Sequence, residues 1–158
     1  MVETLLALCI QKGIMLSCAE SCTGGMVAAA LTDLPGSSAM MERGFVTYTN
    51  AAKTEMLGVK PATLDSFGAV SEEVAREMAL GALSRSGAQI AVSITGIAGP
   101  GGSEFKPEGR VCFGLAHGAD VQVETIEFGP LGRAQVRSAA RDHAVGLLLT
   151  GVQTLPAN

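Results

Sequence analysis

The sequence predicts an α/β protein, a single α/β/α layered domain with a mixed sheet over residues 1–158. Three observations predict it. Short apolar runs of strand length, at 14–19, 45–49 and 89–94, alternate with segments of helical spacing. The first and last of these runs open into loops rich in Gly, Ser and Thr, as strands of open α/β sheets do. Later, Val111, Phe113 and Leu115 alternate, as do Val121 and Val123, around His117-Gly118-Ala119-Asp120; that is a β-hairpin, and it makes the sheet mixed.

Each element has a local reason. Residues 2–12 place Leu5 and Leu8 at helical spacing, and Gly13 stops the helix. Residues 14–19 are a buried strand, Ser21-Cys22-Thr23-Gly24-Gly25 a loop, and Met26–Leu31 a helix ended near Pro35-Gly36. Phe45–Thr49, β-branched and aromatic, is a strand; Asn50 caps the helix Ala51–Leu57, with Gly58 as its stop. Pro61 starts a short helix that breaks at Ser66-Phe67-Gly68. Ser71 caps a helix with Glu72 and Glu73 in its first turn, running toward Gly87. Residues 133–150 close the chain as an amphipathic helix, with Arg133, Arg137 and Arg141 four apart on one face.

Composition narrows the function. Hydrophobic residues are 47% and charged ones 16%, which excludes a disordered chain. Net charge is −4 with 11 Lys+Arg spread along the sequence, so no basic face for nucleic acid is expected. No run approaches the ~18 apolar residues of a membrane helix, and Glu3 stands where a signal peptide would be basic. A soluble cytoplasmic protein with no membrane partner is expected. Cys9, Cys18, Cys22 and Cys112 form no C-x-x-C pair and read as reduced thiols. Neither they nor the two histidines show metal-ligand spacing, so no metal is expected.

The chemistry concentrates in the two loops, Ala19–Gly25 and Thr95–Gly102. A helix starting after Gly24 offers unpaired N–H groups to a phosphate or a developing oxyanion, unless both loops are merely tight turns. Ser21 is a candidate nucleophile and needs a base. His117 and His143 lie beside neither loop, which leaves Lys53, with Tyr48 to relay the proton or hold geometry. A lysine acts as base only when its cation is disfavoured, and the plain alternative is a solvated Lys53 beside an ordinary strand tyrosine. Cys22 at the same helix start is a rival nucleophile, or a small buried residue. Arg133 and Arg137 can grip a phosphate or form a solvated face.

Four segments, Ala19-Glu20-Ser21-Cys22-Thr23-Gly24-Gly25, Val46-Thr47-Tyr48-Thr49-Asn50-Ala51-Ala52-Lys53, Gly68-Ala69-Val70-Ser71 and Ile94-Thr95-Gly96-Ile97-Ala98-Gly99-Pro100-Gly101-Gly102, together resemble the C-terminal domain of CinA, in order from about residue 3 to residue 150. The resemblance implies a self-associating α/β/α fold that hydrolyses nicotinamide mononucleotide to nicotinic acid mononucleotide and ammonia without a cofactor. It puts the catalytic serine, tyrosine and lysine on Ser21, Tyr48 and Lys53. Substrate-binding residues are then expected at Glu20, Thr23, Gly24 and Gly25 in the first loop and at Asn50 beside Tyr48. The second loop adds Thr95, Gly96, Gly99, Gly101 and Gly102, and the last helix adds Arg133 and Arg137. Larger family members carry an N-terminal domain absent from this sequence, so that domain's activity is not expected. The family's Gly-Asp-Arg before the last helix is Leu131-Gly132-Arg133 here: the arginine is kept and the acidic neighbour is not. Two other readings stay open, an amidase for a different amide and a pyridine-nucleotide-binding module without turnover.

Overall fold

The computed structural model describes residues 1–103 and 105–158. Among the described residues six α-helices, α1 (Val2–Lys12), α2 (Met26–Thr32), α3 (Asn50–Leu57), α4 (Pro61–Phe67), α5 (Glu72–Ser84) and α6 (Arg133–Thr154), accompany five strands. The strands are β1 (Leu16–Glu20), β2 (Met41–Val46), β3 (Ile90–Gly96), β4 (Arg110–His117) and β5 (Asp120–Glu127). They form one mixed sheet in the order β2-β1-β3-β4-β5, parallel across β2, β1 and β3 and antiparallel from β3 to β5. The sheet carries helices on both faces, so the expected α/β/α layering holds.

Alternation along the buried strands divides the core. Cys18, Ile90, Val92, Ile94 and Phe113 pack with Leu5 and Cys9 of α1 and with Ala140, Ala144 and Leu148 of α6. Ala19 and Ala91 point the other way, against Val74, Met78 and Ala82 of α5 and Leu57 of α3. This second layer sits close because small residues let backbones meet. A Cβ at Gly114 would lie 2.6 Å from the Ala75 carbonyl oxygen, and one at Gly81 would collide with the Leu57 carbonyl. The Ser93 hydroxyl donates to that same Ala75 oxygen at 2.6 Å, which satisfies a polar group inside the layer.

Several boundaries differ from expectation. The second strand runs Met41–Val46 rather than 45–49, because the parallel register with β1 ends where Glu20 faces Val46. Thr47-Tyr48-Thr49 therefore lies beyond the sheet as a loop. The cap of α3 is Thr49, whose hydroxyl accepts from the Ala52 amide at 3.0 Å; Asn50 is already the first helical residue. The hairpin strands are longer than 111–115 and 121–123, and only Gly118-Ala119 separates the paired His117 and Asp120. α5 stops at Ser84, short of Gly87, and α6 runs past residue 150.

Candidate active site

The carboxyl ends of β1 and β3 lie side by side, and the Ser21 amide donates to the Ile94 carbonyl at 3.0 Å, fixing the first loop to the third strand. The chain leaves β1 to one neighbour, β2, and later enters β3 on the other side. A crevice at such a reversal is where open α/β sheets bind ligands. Ser21 sits at its mouth, 8% exposed. From the first turns of α3 the Lys53 side chain runs inward, 1% exposed, and its Nζ donates to Ser21 Oγ at 3.0 Å. The same nitrogen donates to the carbonyls of Thr47 at 2.9 Å and Tyr48 at 3.2 Å. Among the described residues no carboxylate comes within ion-pair distance of it. Burial without a counter-ion pushes its pKa from 10.5 down to about 8. Burial acts the opposite way on Cys22, whose thiol is pushed up to about 11 and stays protonated near neutral pH.

The cavity in front of Ser21 has a volume of about 340 Å³ and opens to solvent, within the size range of small-molecule sites. Its far wall is the second loop: Thr95, Gly96, Gly99, Gly101 and Gly102 all line it. Gly96 is required there, since a Cβ would lie 2.7 Å from Val111 and 3.1 Å from the Cys22 sulfur. The Thr95 hydroxyl donates to the Ala69 carbonyl at 2.8 Å, which makes Ala69 and Val70 part of the lining. Arg133 reaches over the opening, donating to the Gly99 carbonyl at 2.8 Å and to the Tyr48 hydroxyl at 3.0 Å.

Comparison with known proteins places the chain in a family. The model of the CinA C-terminal domain matches residues 1–152. The chain belongs to the CinA C-terminal domain family. It is similar to the nicotinamide-nucleotide amidohydrolase PncC of Enterobacter agglomerans, 61% identical over 117 residues that span 73% of this chain and 71% of that protein. It is also similar to a CinA-like protein of Chlorobium phaeobacteroides, 55% identical over 130 residues covering 80% of this chain. There the chain spans 31% of the relative's length. Among solved structures it superimposes on the competence/damage inducible protein CihA of Agrobacterium tumefaciens, with 46% identity and a TM-score of 0.88. That match covers 97% of this chain and 96% of the other.

Within this CinA domain several expected binding residues have other employment. The buried Glu20 carboxylate points away from the cavity and accepts from the amides of Gly25 at 3.2 Å, Val27 at 2.9 Å and Ala28 at 3.0 Å. It fills the start of α2, so that helix end is closed to an anionic ligand. Gly24 donates to the Ser21 carbonyl at 3.1 Å, which takes both glycine amides out of the expected oxyanion role. Among the described residues, the amides of Cys22 and Thr23 have no protein acceptor. Thr23 itself is fully buried and does not line the cavity. Arg137 braces the loop from behind, its Nε donating to the Cys22 carbonyl at 3.0 Å. Asn50 lines a separate surface groove with Ala51 and Leu64. Tyr48 contributes its carbonyl, not its hydroxyl, to Lys53. The histidines are remote: His117 is exposed at the hairpin, and His143 pairs with Glu124 at 2.6 Å. Among the described residues no cluster of His, Cys, Asp or Glu is arranged for a metal, and no helix is long and apolar enough to cross a membrane.

Glu108 went unnoticed in the sequence, though it joins the second loop to α6. Residues this far apart give no spacing signal.

Proposed function

We propose that the chain is a nicotinamide-nucleotide amidohydrolase, converting nicotinamide mononucleotide to nicotinic acid mononucleotide and ammonia with Ser21 as nucleophile. The observation that carries this reading is the 3.0 Å contact between Ser21 Oγ and a buried lysine nitrogen that has no counter-ion among the described residues. The resemblance to an amidohydrolase acting on nicotinamide nucleotides supplies the substrate. Uncharged Lys53 takes the Ser21 proton as Oγ attacks the carboxamide carbon. The oxyanion is held by the amide of Cys22, which lines the cavity and is free to donate. Lys53 returns the proton to the departing nitrogen, and ammonia leaves an ester on Ser21. Water then attacks that ester, giving its proton to Lys53, which passes it to Ser21 Oγ as the ester bond breaks and the acid nucleotide is released. Arg133 and the second loop hold the phosphate and ribose, and Tyr48 holds Arg133 in place.

Ammonia release from nicotinamide mononucleotide tests this directly. Ser21→Ala and Lys53→Met each lower kcat by about 1,000-fold or more, since nucleophile and base act as a unit. Cys22→Ala keeps turnover within about tenfold, because a thiol of pKa about 11 is scarcely ionised near neutrality. Undiminished turnover in Ser21→Ala overturns the proposal, and a dead Cys22→Ala with an active Ser21→Ala transfers the role to the thiol. Nucleotide binding by calorimetry without ammonia release identifies a non-catalytic module instead.

A further inference from the structure

We infer that the Glu108 carboxylate is a positioning residue, a brace that sets the distance between the glycine loop and Arg133 and so shapes the nucleotide-binding side of the cavity. Its two oxygens reach two segments far apart in the chain. Oε1 accepts from the Gly101 amide at 2.7 Å and Oε2 from the Gly132 amide at 3.1 Å. Gly101 lines the cavity, and Gly132 immediately precedes Arg133.

The base of the brace is firm. The Gly109 amide donates to the Ile97 carbonyl at 2.8 Å, the Ile97 amide to the Arg110 carbonyl at 2.9 Å, and the Phe128 amide to the Gly109 carbonyl at 2.8 Å. Glu108 therefore projects from backbone tied to the residues that directly follow β3 and β5. The second loop is built to admit it: Gly99 has φ +94°, and any Cβ there would collide with the Glu108 carboxylate.

The brace also accounts for the departure before the last helix. Gly132 is the N-cap of α6 with φ 91°, a backbone that disfavours a side chain, and it provides no capping oxygen of its own. Glu108 brings the missing carboxylate from another segment and places it at the N-terminus of a 22-residue helix, where negative charge is favoured. Arg133 then joins the same two walls a second time through its bond to the Gly99 carbonyl. With Glu108 gone, the exposed Arg133–Gly99 bond is the hydrogen bond left between loop and helix among the described residues. Lys53 and Ser21 stand on other elements, so their contact does not depend on the brace.

The role rests on the proposed function only for its kinetic arm. Glu108→Ala and Glu108→Gln are compared with the wild-type chain. Hydrogen exchange, read without ligand, shows faster exchange at residues 99–102 and 131–134 in Glu108→Ala, with β1 and α5 unchanged. Turnover of nicotinamide mononucleotide shows KM raised about tenfold with kcat within about threefold, and Glu108→Gln, which keeps one acceptor oxygen, falls between. Unchanged exchange at those amides overturns the brace, and so does an unmoved KM or a loss confined to kcat. If the wild-type chain releases no ammonia, the proposed function fails, and the exchange data together with calorimetric binding of nicotinic acid mononucleotide still decide for or against Glu108.

Discussion

A lysine ammonium with one per cent exposure and no carboxylate within reach among the described residues is held against its charge, and under the proposed mechanism this sets the pH at which Ser21 can be activated. At pH 7 a pKa of about 8 leaves about a tenth of the molecules with a neutral amine, whereas 10.5 would leave about 300-fold fewer. The sign follows from the role: the base is the uncharged form, so kcat/KM rises about tenfold per pH unit below about 8 and levels off above it. A rate profile from about pH 6 to 9 checks this, and a flat one removes Lys53 as the base. The sequence made Ser21 and Lys53 legible as candidates but left their partnership undecided. Whether a lysine 32 residues away is solvated or buried depends on where α3 sits, and no local pattern encodes that. Tyr48 was half legible, since its position was readable and the direction of its hydroxyl, toward Arg133, was not.

Among the elements, α2 depends most on a single side chain. It has seven residues, starts at a glycine with φ 108°, and has no capping side chain at that position. Glu20, the last residue of β1, reaches across the turn instead and accepts from two unpaired amides of the helix, Val27 and Ala28, and from that of the N-cap Gly25. The strand end, the Ser21 loop and the helix thus form one hydrogen-bonded unit with Ser21 at its bend. Glu20→Gln turns an amide N–H toward those donors and removes the charge that suits a helix start. It is expected to lower unfolding stability by about 1–3 kcal/mol in urea titration and to reduce kcat along with it. A loss under about 0.5 kcal/mol would show that α2 holds without this cap. The sequence showed the helix but assigned Glu20 to substrate, because an acidic residue beside a nucleophile looks the same whether it faces the cavity or the backbone. The shift of the second strand has a similar origin. Residues 45–49 have the stronger strand composition, yet pairing with β1 selects 41–46 and frees Thr47 and Tyr48 to point carbonyls at Lys53.

At the scale of the whole molecule, the topology opens a crevice and α6 places Arg133 over it. Layering and the mixed sheet were legible from run lengths and the hairpin pattern, because those follow from burial periodicity. Arg133 was expected at the substrate, but its bond to a tyrosine 85 positions away was not legible. The protein carries a net charge of −4, so its overall field opposes an anionic nucleotide. Attraction must then be local, and Arg133 is a cation exposed at the opening, while the start of α2 is already filled by Glu20. A guanidinium that gains charge-assisted bonds to a phosphate contributes about 1.5–3 kcal/mol, or about 10–150-fold in affinity. Arg133→Ala should therefore raise KM for nicotinamide mononucleotide by about that factor and leave nicotinamide riboside, which lacks the phosphate, nearly unaffected. Arg133→Lys recovers part of the loss, since it keeps the charge but not the two-pronged geometry. Steady-state kinetics on the two substrates read the difference. An equal loss on both would mean that Arg133 supports the fold of the opening through Gly99 and Tyr48 rather than holding the phosphate.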